Sequence, residues 1–242
     1  MIQINPREIA AEALMEIMTA DAYNTMTLRR LLRQNGAMSR QDRAFVTEVV
    51  NGTLRNLIYI DHVLNTFSKT KTEKMKPWLL AVLRTAVYQM YFMDIPDAAA
   101  CNEAVKLAQK KGFYNLKPFV NGVLRTIARE IGNLELPLRE ENEVRYLSVK
   151  YSMPEYLVEK WNAAYGVKTT EKILEDFLTE RPITVRCRTH KASRKEIVTS
   201  LKAQGVTVEQ APYLSYALKI SDNNHILTLN AFLQGKILVQ DI

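Results

Sequence analysis

The chain has 242 residues, of which 47% are hydrophobic and 24% are charged, and its formal net charge at pH 7 is +7. The composition is that of a soluble globular protein. The length is typical of one or two domains and is sufficient to bury a hydrophobic core. No apolar run approaches the roughly 20 residues of a membrane span, and the N-terminus lacks the basic and apolar regions of a secretion signal.

The first part of the chain carries apolar residues at helical spacing. A first helix has Pro6 in its first turn, where the missing N–H of proline costs no hydrogen bond. A second, shorter helix ends at Gly36. Ser39 is the predicted N-cap of a third helical stretch that runs to residue 67, and we expect a kink or a split in it around Asn51 and Gly52.

Residues 77–131 predict three further helices, which begin near Pro77, Asp97 and Pro118. The first of them is apolar over most of its circumference, so we expect it to be buried in the core of a helical bundle. Because no strand pattern precedes Gly132, this part of the chain is predicted to be one all-α domain of six or seven helices.

Gly132, Pro137 and a run of acidic residues mark the predicted end of this domain. A helical linker follows, and at residue 183 the spacing of apolar residues changes to two, the period of a strand. Ser193 and Glu196 form a capping box for a helix that ends at Gly205. The predicted elements of this half are helices over residues 144–151, 154–166 and 169–179, strands over residues 183–187, 206–208, 217–220 and 236–240, and a turn at Asp222, Asn223 and Asn224.

Positive charge is concentrated in the N-terminal part, because residues 1–139 contain 19 Lys and Arg against 13 Asp and Glu, whereas residues 140–242 contain 14 against 13. Such a basic domain favours a polyanionic partner, RNA or DNA before a membrane surface, and a solvated face without a ligand is the alternative. Arg186 and Arg188 face outward on a strand and could line a path for single-stranded RNA, although no aromatic stacking partner is evident beside them. The candidate RNA-binding residues are Arg7, Arg29, Arg33, Arg40, Arg43, Lys106, Lys110, Lys111, Arg125, Arg129, Arg186 and Arg188.

Candidates for catalysis or metal binding are missing from the sequence. Cys101 and Cys187 lie far apart and form neither a disulfide framework nor a C-x-x-C metal pair, which fits a reducing cytoplasm. The three histidines, His62, His190 and His225, share no metal-ligand spacing with each other or with the cysteines. Both cysteines fall on apolar faces, where a thiol is usually inert. We therefore expect no catalytic residue and no metal site.

Several segments in a fixed order carry a resemblance to a known family. They are residues 39–55 (SRQDRAFVTEVVNGTLR), 83–90 (LRTAVYQM) with Ile95 and Pro96, 102–108 (NEAVKLA), 119–125 (FVNGVLR), 151–154 (YSMP) with Trp161, Tyr165 and Gly166, and Arg186-x-Arg188 with the helix after Ser193. Together they resemble the NusB-like domain, the linker and the RRM-like extension of bacterial rRNA cytosine-5 methyltransferases of the Sun/RsmB (Fmu) family.

The resemblance implies a parent enzyme that methylates a cytosine of the small-subunit (16S) rRNA, with S-adenosylmethionine as donor and a cysteine that attacks the ring. The family's glycine-rich cofactor loop and its Pro-Cys and Thr-Cys motifs have no counterpart in this sequence. We therefore expect this chain to be a fragment, the RNA-binding and non-catalytic N-terminal portion, without a cofactor of its own. Its expected partners are small-subunit rRNA and the missing methyltransferase domain in cis, with a ribosomal protein as a further candidate and no membrane.

The predicted fold is mainly α, with a NusB-like all-α bundle over residues 1–139, a helical linker over 140–180 and a small RRM-like α+β unit over 181–242, complete or incomplete. Two other functions stay open. One is a free-standing NusB-type transcription antitermination factor that binds RNA and a ribosomal protein, and the other is a protein-interaction scaffold without RNA contact.

Overall fold

The computed structural model describes residues 4–20, 23–179, 182–221 and 226–241. The chain divides into two compact units, residues 1–177 and residues 178–242. In the first, every described secondary-structure element is a helix, and the second combines a four-stranded sheet with helices. The predicted mainly α fold is therefore confirmed. None of the helices described combines the length and the apolar character needed to cross a lipid bilayer.

The described helices of the first unit follow the predicted order. They are α1 (Pro6–Ala20), α2 (Asn24–Gln34), α3 (Arg40–Arg55), α4 (Leu57–Phe67), α5 (Pro77–Phe92), α6 (Asp97–Lys110), α7 (Lys117–Glu130), α8 (Glu143–Tyr151), α9 (Glu155–Tyr165) and α10 (Val167–Leu178).

Helix α5 is the centre of this bundle, as its apolar circumference predicts. It packs against α1, α3, α4, α6 and α7, and its side chains from Trp78 to Met90 are buried with the exception of Leu80, which is partly buried. A helix surrounded by neighbours has no solvent-facing stripe, so even its polar residues lie in the core. Arg84, Thr85 and Gln89 are all buried here.

The break between α3 and α4 lies at Asn56, and α3 runs without interruption through Asn51 and Gly52, where we had predicted a kink or a split. Gly52 instead allows the side chain of Tyr88 on α5 to approach the backbone of α3 closely. A Cβ atom built on Gly52 would lie 1.9 Å from Cζ of Tyr88, so only glycine leaves room for that ring. The Tyr88 hydroxyl then donates a hydrogen bond to Oε1 of Glu48 at 2.6 Å, which joins α5 to α3.

The segment that was predicted as a separate linker packs into the first unit. Helix α8 contacts α4, and Oγ of Ser152, at the end of α8, accepts a hydrogen bond from the backbone N of Ile58 at 2.9 Å. Helices α9 and α10 are separated by Gly166 alone, whose φ of +77° suits glycine. The boundary between the two compact units therefore falls at the end of α10, between residues 177 and 178.

The second unit contains, in chain order, β1 (Ile183–Cys187), α11 (Arg194–Ala203), β2 (Thr207–Gln210), β3 (Ala217–Ser221), α12 (Asn230–Leu233) and β4 (Ile237–Val239). The strands are antiparallel in the spatial order β2-β3-β1-β4, so both edge strands of a β-α-β-β-α-β unit are present. The turn predicted at Asp222, Asn223 and Asn224 lies outside the described residues.

One face of the sheet packs on the helices of this unit. Val185 and Cys187 of β1 are buried with Leu218 of β3 and with Ile197 and Leu201 of α11. Residues that alternate with these point to the opposite face, where Arg186 of β1 and Leu238 of β4 pair in register and are both exposed.

Alanine substitutions of two helical glycines, Gly52 and Gly122, test the close approach of the Tyr88 ring to α3. We expect Gly52→Ala to lower the free energy of unfolding by about 2 kcal/mol or more, because the new methyl group overlaps the buried ring. The matched control is Gly122→Ala in α7, where no atom lies within 4 Å of a built Cβ. This change should be neutral or stabilising by up to about 1 kcal/mol. Urea unfolding followed by circular dichroism measures both, and equal stabilities of the two variants would contradict the packing described.

Candidate nucleic-acid interface

The twelve predicted basic residues are divided between the two units. Ten of them, from Arg7 to Arg129, lie in the helical unit, and Arg186 and Arg188 lie in the sheet unit. They differ in what their charges already contact. This difference sorts the candidates, because a cation that has no carboxylate partner is the most readily available to a phosphate.

Arg29, Arg33 and Arg40 are exposed on α2 and at the first residue of α3, and we refer to the three together as the α2–α3 surface. Arg29 and Arg33 are one turn apart on α2, and Arg40 is the first residue of α3, placed by the Ser39 N-cap. No carboxylate of the described residues lies within ion-pair distance of these three arginines. A pocket of about 560 Å³ runs along α2 and is lined by Met26, Thr27, Arg29, Arg30, Arg33 and Gln34.

Two further arginines border this surface and have internal contacts. Arg43 is partly buried, and its Nη1 donates a hydrogen bond to the backbone oxygen of Leu32 at 2.9 Å, which ties the start of α3 to the end of α2. Arg30 pairs with Glu16 of α1. Arg43 therefore supports the surface, and Arg29, Arg33 and Arg40 supply its unpaired charge.

Lys106 and Lys110 of α6, and Lys111 directly after it, all lie near acidic residues. Lys106 bonds Glu103 at 2.7 Å, and this contact is the main cause that lowers the pKa of the Glu103 carboxyl. Lys110 bonds Glu8 of α1 at 2.6 Å. Lys111 lies 4.0 Å from Glu8 and 3.9 Å from Glu12, and its Nζ is 5.1 Å from the centroid of a Trp78 ring. These lysines balance the acids of α1 and of their own helix.

Arg125 and Arg129 lie one turn apart on α7, beside a pocket of about 490 Å³ between α6 and α7. Arg129 bonds the neighbouring Glu130 at 2.7 Å. Arg125 is exposed and has no ion-pair partner among the described residues, although Asp97 lines the same pocket. Among the predicted residues of the helical unit, Arg125 is thus a second place where an arginine is available to a phosphate.

Arg7 has a structural role that the sequence did not suggest. Its Nε donates a hydrogen bond to Oε1 of Gln89 on α5 at 2.7 Å, and its Cζ lies 5.2 Å from the ring centroid of Phe45 on α3. The side chain is partly buried and connects three helices. An RNA contact by Arg7 stays a prediction.

In the sheet unit, Arg186 and Arg188 lie at a pocket of about 480 Å³ at the C-terminal end of β1. Sequence reasoning missed the aromatic residue of this pocket, Tyr216, whose ring centroid is 5.5 Å from Cζ of Arg186. Tyr216 directly precedes β3, outside the alternating pattern of the strand, so no sequence pattern indicated it. The register that pairs Arg186 with Ala217 brings it there.

Both cysteines are buried, and His62 contacts the backbone. Cys101 and Cys187 are both free thiols in the core, and burial raises the pKa of each. Nε2 of His62 lies 2.9 Å from the backbone oxygen of Glu135. No cluster of His, Cys, Asp or Glu within the described ranges could hold a metal ion, and His225 lies outside those ranges.

Comparisons with known proteins match both units. The model of the NusB family matches residues 4–129, more than half of the chain. A second model, described as the RsmF/B-like methyltransferase ferredoxin-like domain, matches residues 153–226. This second match begins within the helices that precede the sheet.

Curated relatives are similar along the whole chain. The chain is 37% identical over 244 residues to the probable ribosomal RNA small subunit methyltransferase B of Bacillus subtilis (strain 168), with 100% of the chain and 53% of the relative covered. It is 29% identical to the protein of the same name from Synechocystis sp., with 98% of the chain and 53% of the relative covered. The chain therefore spans about half the length of the curated relatives that it matches.

A solved structure shows the same fold. The crystal structure of PH0851 matches 99% of this chain and 54% of its own, with a TM-score of 0.65 and 22% sequence identity. At this identity the likeness concerns the fold alone.

We expect both cysteines to be poor nucleophiles. At about pH 8, below their raised pKa values, the thiols stay protonated, and the reactive thiolate is rare as well as buried. Ellman's reagent should react with each at least roughly tenfold more slowly in the folded chain than in guanidinium. Cys101→Ser and Cys187→Ser report the remaining thiol separately. Reaction of either at the unfolded rate would contradict the burial described.

Proposed function

Since the chain belongs to the NusB family, we propose that it is the RNA-binding and non-catalytic portion of an rRNA cytosine-5 methyltransferase. One observation carries the proposal. Relatives named ribosomal RNA small subunit methyltransferase B match essentially the whole chain and extend to about twice its length. Catalysis and the use of S-adenosylmethionine would then belong to the other half of such a protein, and the substrate of the whole would be a cytosine of small-subunit rRNA.

The charges of the helical unit support a role in binding RNA. Three arginines of the α2–α3 surface are exposed without a carboxylate partner among the described residues, and arginine matches the geometry of phosphate oxygens. Each phosphate that such a residue neutralises releases a counterion, which converts the repulsion between neighbouring cations into binding free energy. We therefore assign the main phosphate contacts to Arg29, Arg33 and Arg40, with Arg125 as a second contact.

The antitermination alternative is less well supported. The match of residues 153–226 to a ferredoxin-like domain of RsmF/B-like methyltransferases favours the methyltransferase parent over a free-standing NusB-type factor. A ribosomal protein partner would suit that alternative and stays a further candidate for the methyltransferase parent. The scaffold alternative predicts no salt-dependent affinity for RNA. Measuring RNA binding at several salt concentrations therefore separates it from the proposed function.

We expect the double variant Arg29→Gln/Arg33→Gln to bind a small-subunit rRNA fragment more weakly than the unchanged chain. Two fewer neutralised phosphates should flatten the slope of log K against log salt concentration by about one to two units. Filter binding at several salt concentrations measures the affinity and the slope.

The matched control is Lys168→Gln/Lys172→Gln, which removes the same number of positive charges from two exposed positions one turn apart on α10. Its slope should stay close to that of the unchanged chain. Equal slopes for both double variants would show that net charge alone governs binding and would remove the α2–α3 surface from the site. No salt-dependent binding by the unchanged chain would refute the proposed function.

The cofactor assignment has its own test. Because the sequence lacks the glycine-rich cofactor loop after a strand, we expect the chain alone to give no binding heat with S-adenosylmethionine in titration calorimetry. Micromolar affinity for S-adenosylmethionine would contradict the assignment of the cofactor to the other half of the parent.

A further inference from the structure

We propose that the pocket at the end of β1 binds one unpaired nucleotide of RNA, with its base stacked on Tyr216 and its phosphate held by Arg188 and Lys191. This inference rests on the proposed function, since it adds to an RNA-binding chain a second site of a different kind. The helical unit would contact the phosphate backbone, whereas this pocket would take a base that is free of a duplex.

The pocket has the size and lining of a ligand site. Its volume of about 480 Å³ lies within the range of roughly 300–1,000 Å³ found for sites that hold small molecules. Aromatic, apolar and cationic side chains share its wall. The lining residues are Arg186, Cys187, Arg188, Thr189, His190, Tyr216 and Leu238.

The backbone fixes the position of Tyr216. The backbone N of Cys187 donates a hydrogen bond to the oxygen of Tyr216 at 2.7 Å, which continues the β1–β3 ladder by one residue beyond β3. Cys187 is itself buried in the core of the unit, so this anchor is rigid. Tyr216 is nevertheless exposed, with a relative exposure of 38% for the residue. An aromatic residue that is fixed at its backbone and accessible to solvent suits base stacking.

The guanidinium of Arg186 lies over this ring, with its Cζ 5.5 Å from the centroid. Arg186 is exposed, so it can leave the ring when a base arrives and turn towards the phosphate. An exposed cation–π contact is weaker than the stacking of a base on an aromatic ring, and therefore the exchange favours the nucleotide. Leu238, opposite Arg186 in the register of β1 and β4, offers an apolar edge for the same base.

Two cations meet next to this pocket, namely Arg188, which lines it, and Lys191, which approaches the same glycine as Arg188. Nη1 of Arg188 is 3.4 Å from the backbone oxygen of Gly235. A Cβ built on Gly235 would lie 3.1 Å from Nζ of Lys191 and 3.7 Å from Nη1 of Arg188, so both cations approach this glycine. Within the described part of the chain, no carboxylate is in ion-pair contact with Arg186, Arg188 or Lys191. A phosphate would supply the missing counter-charge.

These contacts select single-stranded RNA. A paired base has both faces covered by its neighbours in the helix, so only an unpaired base can stack on the Tyr216 ring. Stacking and phosphate contacts tolerate different bases, and we expect little sequence preference from this pocket.

The test uses the full chain and two fluorescent probes, an unstructured single-stranded RNA of about ten nucleotides and an RNA duplex of similar charge. Tyr216→Ala should weaken binding of the single strand by about tenfold, because stacking on one ring is lost, and should leave the duplex affinity within about twofold. Tyr216→Phe keeps the ring and should retain the affinity for the single strand. The matched control is Tyr156→Ala on α9, another exposed tyrosine, which should change neither affinity.

A second measurement does not depend on any variant. A single strand that carries 5-iodouridine should crosslink on irradiation to the peptide that contains Tyr216 in the unchanged chain. The inference is overturned if folded Tyr216→Ala binds the single strand as tightly as the unchanged chain does, or if the crosslink maps elsewhere. In either case salt-dependent binding of the rRNA fragment would leave the proposed function standing, whereas its absence would refute that function independently.

Discussion

The burial of α5 on all sides is the constraint on which the helical unit depends. Polar groups inside a core must find partners there, and three side chains of α5 do so on three different helices. Arg84 forms a two-point pair with Asp61 of α4, with Nε–Oδ1 and Nη2–Oδ2 distances of 2.8 and 2.7 Å. Tyr88 bonds Glu48 of α3, and Gln89 accepts from Arg7 of α1. Because a mispaired charge in a core is costly, these contacts fix the rotation of each neighbour around α5.

This arrangement determines which cations are available to a ligand. Arg7 is near the core and completes the hydrogen bonding of Gln89, and Lys110 neutralises Glu8 where α6 meets α1. In the part of the chain that is described, Arg29, Arg33 and Arg40 make no such contacts, in contrast to Arg30 and Arg43 beside them. The basic character of the sequence is therefore partly structural, and only its unpaired fraction concerns a partner. For this reason the net charge overestimates the number of cations that are available to a partner.

The sequence predicted the helices and strands because their signals are local: apolar spacing, Pro77 at a helix start, and the Ser193 capping box that the structure contains. It predicted the candidate site less well, because the contacts that sort the cations are distant in sequence. Lys110 and Glu8 are 102 positions apart. The interpretation of Gly52 as a helix break was wrong for the same reason, since the ring that requires a glycine lies on another helix. Tyr216 was missed because it lies one residue before the alternating pattern that predicts β3.

The two proposed sites would differ in what they contribute to recognition. Arginine contacts with phosphates give affinity and orientation at any sequence, whereas contact with an unpaired base depends on the local structure of the RNA. Two such sites on one chain act together, since binding at the first raises the effective concentration of RNA at the second. Folded rRNA presents duplex segments next to unpaired nucleotides, and a chain with both sites would bind such an RNA more tightly than a plain duplex or a plain single strand. Selectivity for a structured RNA can thus arise from two individually weak and unspecific contacts.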